Sequence, residues 1–168
     1  FGTSTTITDP TTQGILVGTS TGNVSFGNAT ISDATDAISL QNNSAGTRSF
    51  GTITVTNGSG DSFLHGVGGG TTTVSGLATL TNPASNCIDI QDSTTAVAFA
   101  NVNCTQSAAA GVFLDDNSGN VTFADLDIDT DTNVRGIHVT EPHSGTITTT
   151  SGTIADTGTA TAVEIVGT

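Results

Sequence analysis

Apolar residues in this chain alternate with polar ones in short bursts, and the bursts recur at one period. Val121, Phe123, Leu126 and Ile128 form one burst. Val97, Phe99, Val102 and Cys104 repeat its spacing, as do Val24, Phe26, Ala29 and Ile31. Phe50, Ile53 and Val55 follow Arg48 in the same pattern, Val74 and Leu77 lie between Thr72 and Thr79, and Ile147 and Ile154 enclose Thr149 and Gly152. One column, Phe26, Phe50, Val74, Phe99, Phe123 and Thr149, steps by 24, 24, 25, 24 and 26 residues. A second motif keeps the same phase: small, apolar, any, apolar. It runs from Gly14-Ile15-Leu16-Val17 through Cys87-Ile88-Asp89-Ile90 to Ala162-Val163-Glu164-Ile165.

A spacing of two is a strand period, and nothing recurs at helical spacing. Turn-rich stretches such as Asn57-Gly58-Ser59-Gly60-Asp61 separate the bursts. The same segment order returns every period, so equivalent strands stack in parallel about 4.8 Å apart. The pattern predicts an all-β, single-domain parallel β-helix over residues 1–168, of about seven coils with 24–25 residues each. The handedness of parallel crossovers favours a right-handed coil. A residue between the two halves of each long burst (Asn28, Thr52, Gly76, Asn101, Asp125, Ser151) marks a corner, where left-handed backbone is expected. The small column Gly14, Ala37, Ser62, Cys87, Gly111, Gly136, Ala162 predicts a place with no room for a side chain.

These coils and columns resemble the right-handed parallel β-helix superfamily, which includes pectate lyases, polygalacturonases, phage tailspikes and the passenger rods of bacterial adhesins. The composition, rich in Thr, Gly and Asn and free of Lys, is most similar to adhesin or autotransporter-type surface rods. That resemblance implies a structural extracellular or cell-surface protein: a secreted, rigid rod acting as an adhesin shaft, or a filament subunit stacked end to end. Its rivals are a polysaccharide-binding or polysaccharide-degrading β-helix and a calcium-binding surface module.

Charge narrows the partners. Fifteen acidic residues against Arg48 and Arg135 give a net charge of −13, which disfavours nucleic acid and anionic lipid. No apolar run reaches the length of a membrane span, so membrane insertion is not expected. The chain opens at Phe1 without Met or a leader. It reads as a processed product or a window of a longer rod, with open coil ends that invite self-association or continuation.

Catalysis is not expected. Hydrolysis of a glycan needs paired carboxylates, for which Asp115, Asp116, Asp89 and Asp92 form the best cluster. The chain lacks the Lys, and the Trp or Tyr platforms, that sugar chemistry would use. No cofactor is called for, apart from calcium. Asp125, Asp127, Asp129 and Asp131 alternate along one strand, and Asp125, Asp127 and Asp129 are the candidate calcium ligands, although one strand spreads its side chains rather than converging them. The outer column Thr30, Thr54, Ala78, Asn103, Asp127, Thr153 is broken by charge, which argues against an ice-binding ladder. His138 is expected on an outer column between Phe113 and Glu164. His65 falls in an inner slot, where a register shift or bulge is expected. Cys87 and Cys104 leave a disulfide open, and Asn23, Asn28, Asn57, Asn103 and Asn120 sit in glycosylation sequons.

Overall fold

A computed structural model describes residues 2–42, 45–68, 70–130, 133–140, 142–155 and 159–167; Phe1 and Asp131 lie outside them. The chain coils into a parallel β-solenoid with no helix among the described residues. One sheet stacks Ser4–Thr8, Asn28–Ser32, Ile53–Thr56, Thr71–Thr81, Val97–Thr105, Val121–Asp129 and Ile147–Ala155, with Val24–Ser25 and Thr47–Phe50 extending its early rungs. The other stacks Ile15–Gly18, Ile38–Gln41, Phe63–His65, Ile88–Gln91, Ala110–Asp115, Arg135–Val139 and Val163–Ile165. Every pairing is parallel and joins equivalent segments of successive coils. Seven rungs bound about six full turns, so the count of seven motifs exceeds the number of complete coils by one.

The core lies between the two sheets. Inward residues alternate with outward ones along each strand, as in Val121–Asp129, where Val121, Phe123, Leu126 and Ile128 are buried. Phe26 stacks on Phe50 with ring centroids 5.0 Å apart, and Phe99 on Phe123 at 5.5 Å. Val74 fills the rung between these pairs. The space its smaller side chain leaves is taken from the opposite sheet by Phe63, which meets Phe50 at 6.1 Å and Phe99 at 5.1 Å, both edge-on. Edge-to-face contact is a favoured aromatic geometry. A continuous run of rings therefore passes through a rung that has no Phe of its own in that column.

The small column behaves as expected at its glycines. A Cβ on Gly14 would lie 2.6 Å from Ile31 Cγ2, one on Gly111 2.6 Å from Ile128 Cγ2, and one on Gly136 2.4 Å from Ile154 Cγ2. Each glycine makes room for a β-branched residue that arrives from the facing sheet.

Two expectations are corrected. The corner residues do not adopt left-handed backbone. Apart from Asn133 and four glycines, positive φ among the described residues falls in two other columns: Asp9, Asp33, Asn57, Asn82 and Gln106 after the first sheet, and Thr19, Asn42, Asp92 and Asp116 after the second. Asn and Asp tolerate this conformation best, which explains their frequency there. At the corner the polar side chain serves the neighbouring rung: Thr52 N donates to Asn28 Oδ1 at 2.9 Å, and Ser151 Oγ donates to Ala124 O at 3.1 Å.

The second correction is a register shift in the coil of Val74. Ser75 and Gly76 occupy the stretch that Ala100 spans alone in the next coil, and the pairing shifts between Phe99 and Asn101. Ala78 and Leu80, rather than Leu77 and Thr79, then continue the core columns beside Val102 and Cys104. Leu77 is 44% exposed, while Ala78 and Leu80 are fully buried. Thr79 replaces Ala78 in the outer column with Thr30, Thr54 and Asn103, and Asp127 still interrupts that column.

Candidate functional site

Among the described residues, the carboxylates singled out in the sequence do not gather into one group. Asp92 and Asp116 sit at left-handed turn positions after the second sheet, where they shape the backbone. Asp115 accepts a hydrogen bond from the Thr140 hydroxyl one coil on. Asp125, Asp127 and Asp129 lie on the outer face of one strand. Asp125 Oδ1 accepts from Ser151 Oγ at 2.6 Å, and Asp127 Oδ1 accepts from both Thr153 N at 3.0 Å and Thr153 Oγ1 at 2.7 Å. Asp129 pairs in register with Ala155 and stays exposed. Two of these three carboxylates are therefore committed to the next rung. Among the described residues no three His, Cys, Asp or Glu side chains gather as a metal site.

Asp89 does something else. It occupies the outer column of the second sheet, between Leu64 and Phe113, and would face solvent on a bare sheet. It is nevertheless only 4% exposed. Asn86 Nδ2 and Gln91 Nε2 both donate to its Oδ2, at 3.2 and 3.0 Å, and Oδ1 has no donor among the described residues. Asn86 also donates its backbone N–H to Asp61 Oδ1 at 2.8 Å, so the two carboxyls bracket one asparagine. Burial, and behind it the negative charge of Asp61, raises the Asp89 carboxyl to about 7. A proton on Asp89 is thus held near neutrality beside a second carboxylate. Gln41 donates to Ser39 Oγ at 2.8 Å in the equivalent places two coils earlier, so the glutamine strap is a repeated device.

Sequence reading missed the Asp61–Asp89 pair because it placed Asp89 with Asp92 and Asp115. The signal was present in the column Asp36, Asp61, Asn86, which steps by 25 residues and links each member to the next rung: Asp61 N donates to Asp36 Oδ1 at 3.2 Å. A general acid must reach a substrate. Asp89 is almost fully covered by its neighbours.

Two further polar features are in place. His138 lies between Phe113 and Glu164 as expected, with its ring 5.3 Å from Phe113 and its Nε2 3.5 Å from Glu164 Oε2. Arg135 also pairs with Glu164 at that end of the column. His65 keeps an unshifted register with Leu40 and Ile90, points inward and is buried. Burial, and after it the charge of Arg48, lowers its pKa to about 4, so the ring is neutral at physiological pH.

Cys87 and Cys104 are joined by a disulfide across the coil interior. Comparison with protein-family models, curated proteins and solved structures finds no match. Among the described residues, the outer Thr, Asn, Ser and Asp side chains form ladders of hydrogen bonds between rungs.

Proposed function

We propose a structural role: a rigid rod of a secreted or cell-surface protein, of the adhesin-shaft type. The observation that carries this reading is the use to which the polar side chains of the turns and outer faces, and the buried Asn117, are put. Asn23, Asn28, Asp36, Asp61, Asn117, Asn120 and Asp127 each accept a hydrogen bond from a backbone N–H one coil on or one coil back. Side chains that a ligand would need are engaged in tying coil to coil, as suits a part whose task is to hold its length. Repeat architectures of this kind bury a continuous core by stacking, so length is gained without a change of design.

Cation scarcity supports an extracellular setting. Arg48 is buried, which leaves Arg135 as the trypsin-type cleavage point on the surface.

Electron microscopy of the natural material tests this reading. Straight rods a few nanometres wide, extending covalently past these residues, fit a shaft. Long filaments whose subunit repeat matches this coil stack fit end-to-end assembly, the other form of the structural role. Depolymerisation of an acidic or neutral polysaccharide by the purified chain would replace the proposal with the enzymatic rival.

A further inference from the structure

Inside the solenoid, a set of polar groups stands where the other coils carry apolar ones. The first inner column of the first sheet reads Val24, Arg48, Thr72, Val97, Val121, Ile147 in register. Arg48 is 1% exposed and Thr72 is fully buried. His65, 3% exposed, ends its strand just before the turn that leads to Thr71, so the three side chains belong to one corner of adjacent coils. The guanidinium reaches into that turn: Nη1 donates to Gly46 O at 3.0 Å, Nη2 donates to Ser20 O at 2.8 Å, and a Cβ on Gly70 would lie 1.8 Å from Nη1. Gly70 has φ +108, so the turn is shaped to receive the guanidinium.

Three atoms in this corner have no hydrogen-bond partner among the described residues: Arg48 Nε, Thr72 Oγ1 and His65 Nδ1. The first is an obligate donor, the second donates freely, and the third donates in one neutral tautomer. No carboxylate pairs with Arg48 among the described residues. Burying a charge without a counter-charge is among the most unfavourable arrangements a protein can hold. This one holds a buried cation in a chain of net charge −13 that has acidic residues to spare. A single water can serve unpartnered donors, but it leaves the charge uncompensated.

We infer that this corner is a binding site for a small monoatomic anion, a halide such as chloride, held by Arg48 Nε, Thr72 Oγ1 and His65 Nδ1. The ion neutralises the guanidinium and completes the polar contacts of the corner, so it acts as an internal rivet of the solenoid. This inference goes beyond the rod reading and does not depend on it.

Thermal unfolding of the full chain at pH 7 tests it, in sodium chloride against sodium gluconate at matched ionic strength. Above the dissociation constant, each tenfold rise in chloride should raise the unfolding midpoint by about 3–5 °C, while gluconate leaves it unmoved. Thr72→Val places in this column the residue found at 24, 97 and 121, and should weaken the chloride affinity tenfold or more. Arg48→Met should abolish the response. If Arg48→Met fails to fold, anomalous scattering from crystals grown in bromide gives an independent answer, with a peak expected beside Arg48 Nε. Equal midpoints in chloride and gluconate, or a bromide-soaked corner occupied by water alone, would overturn the inference.

Discussion

Cys87 and Cys104 are bonded to each other at the two positions that Gly111 and Ile128 fill in the next coil. In that next coil the glycine yields space and the isoleucine fills it. In the coil of Cys87 two equal side chains meet halfway and are joined. One site in the cross-section thus has two solutions, a packed pair or a covalent one.

This relationship predicts how the disulfide can be replaced. Substituting both cysteines with Ala should lower stability by about 3 kcal/mol, the usual effect of opening a loop of this size. Cys87→Gly with Cys104→Ile should recover a good part of that loss by installing the neighbouring coil's packing. Denaturant midpoints of the two double variants, measured beside the oxidised and reduced parent, check this.

A similar exchange governs the aromatic run. Val74→Phe alone should destabilise by about 1–3 kcal/mol, because the new ring enters space held by Phe63. Adding Phe63→Ile, which matches Ile38 and Ile88 in its own column, should restore the parent value. Phe63→Ala without compensation should cost about 3–5 kcal/mol. Thermal unfolding of the three variants is the measurement.

The buried carboxyl sets a pH dependence. The Asp89 pKa is raised from 3.8 to about 7 on folding, so the folded state favours the proton. Its contribution is fully present below about pH 4 and is lost as pH rises through 7, a change on the order of 4 kcal/mol for one such group. Asp89→Asn, which stays neutral, should narrow the gap in urea midpoint between pH 5 and pH 8. An unchanged gap would show that Asp89 ionises freely in the folded protein.

The acidic outer strand has its own test. Because Asp127 Oδ1 bonds both the N–H and the hydroxyl of Thr153, Asp127→Ala should lower stability by about 1–2 kcal/mol. Millimolar calcium should shift the midpoint no more than magnesium does. A calcium-specific rise that disappears in Asp127→Ala would instead assign a metal to Asp125, Asp127 and Asp129.

Much of this architecture is legible in the residues, and the reasons are physical. A parallel coil places like on like, so a column such as Phe26, Phe50, Phe99, Phe123 declares itself by period alone. What period cannot reveal is a contact across the coil. Phe63 belongs to a different column from Val74, and only the closure of the cross-section brings them together. Asp61 and Asp89 were missed for a different reason: they lie 28 residues apart, one period plus a three-residue step along the chain, so the column Asp36, Asp61, Asn86 points to Asn86 and not to Asp89 itself. The slip at Leu77 has another cause. One inserted residue at Ser75-Gly76 preserves the overall period while moving half a strand to the opposite face. Left-handed turns were misplaced because Asn and Asp have two uses, positive φ and side-chain bonding to the next rung, and composition does not separate them.

Pulling on such a molecule from its two ends would peel it one coil at a time, each release feeding out roughly 80 Å of slack from 24 residues of contour. The disulfide interrupts that series. It locks a span of 17 residues within one coil, so that step surrenders only a fraction of the normal length until the bond is reduced. Under tension the bond would act as a gauge mark, a single short step that reports where along the molecule the unravelling has reached.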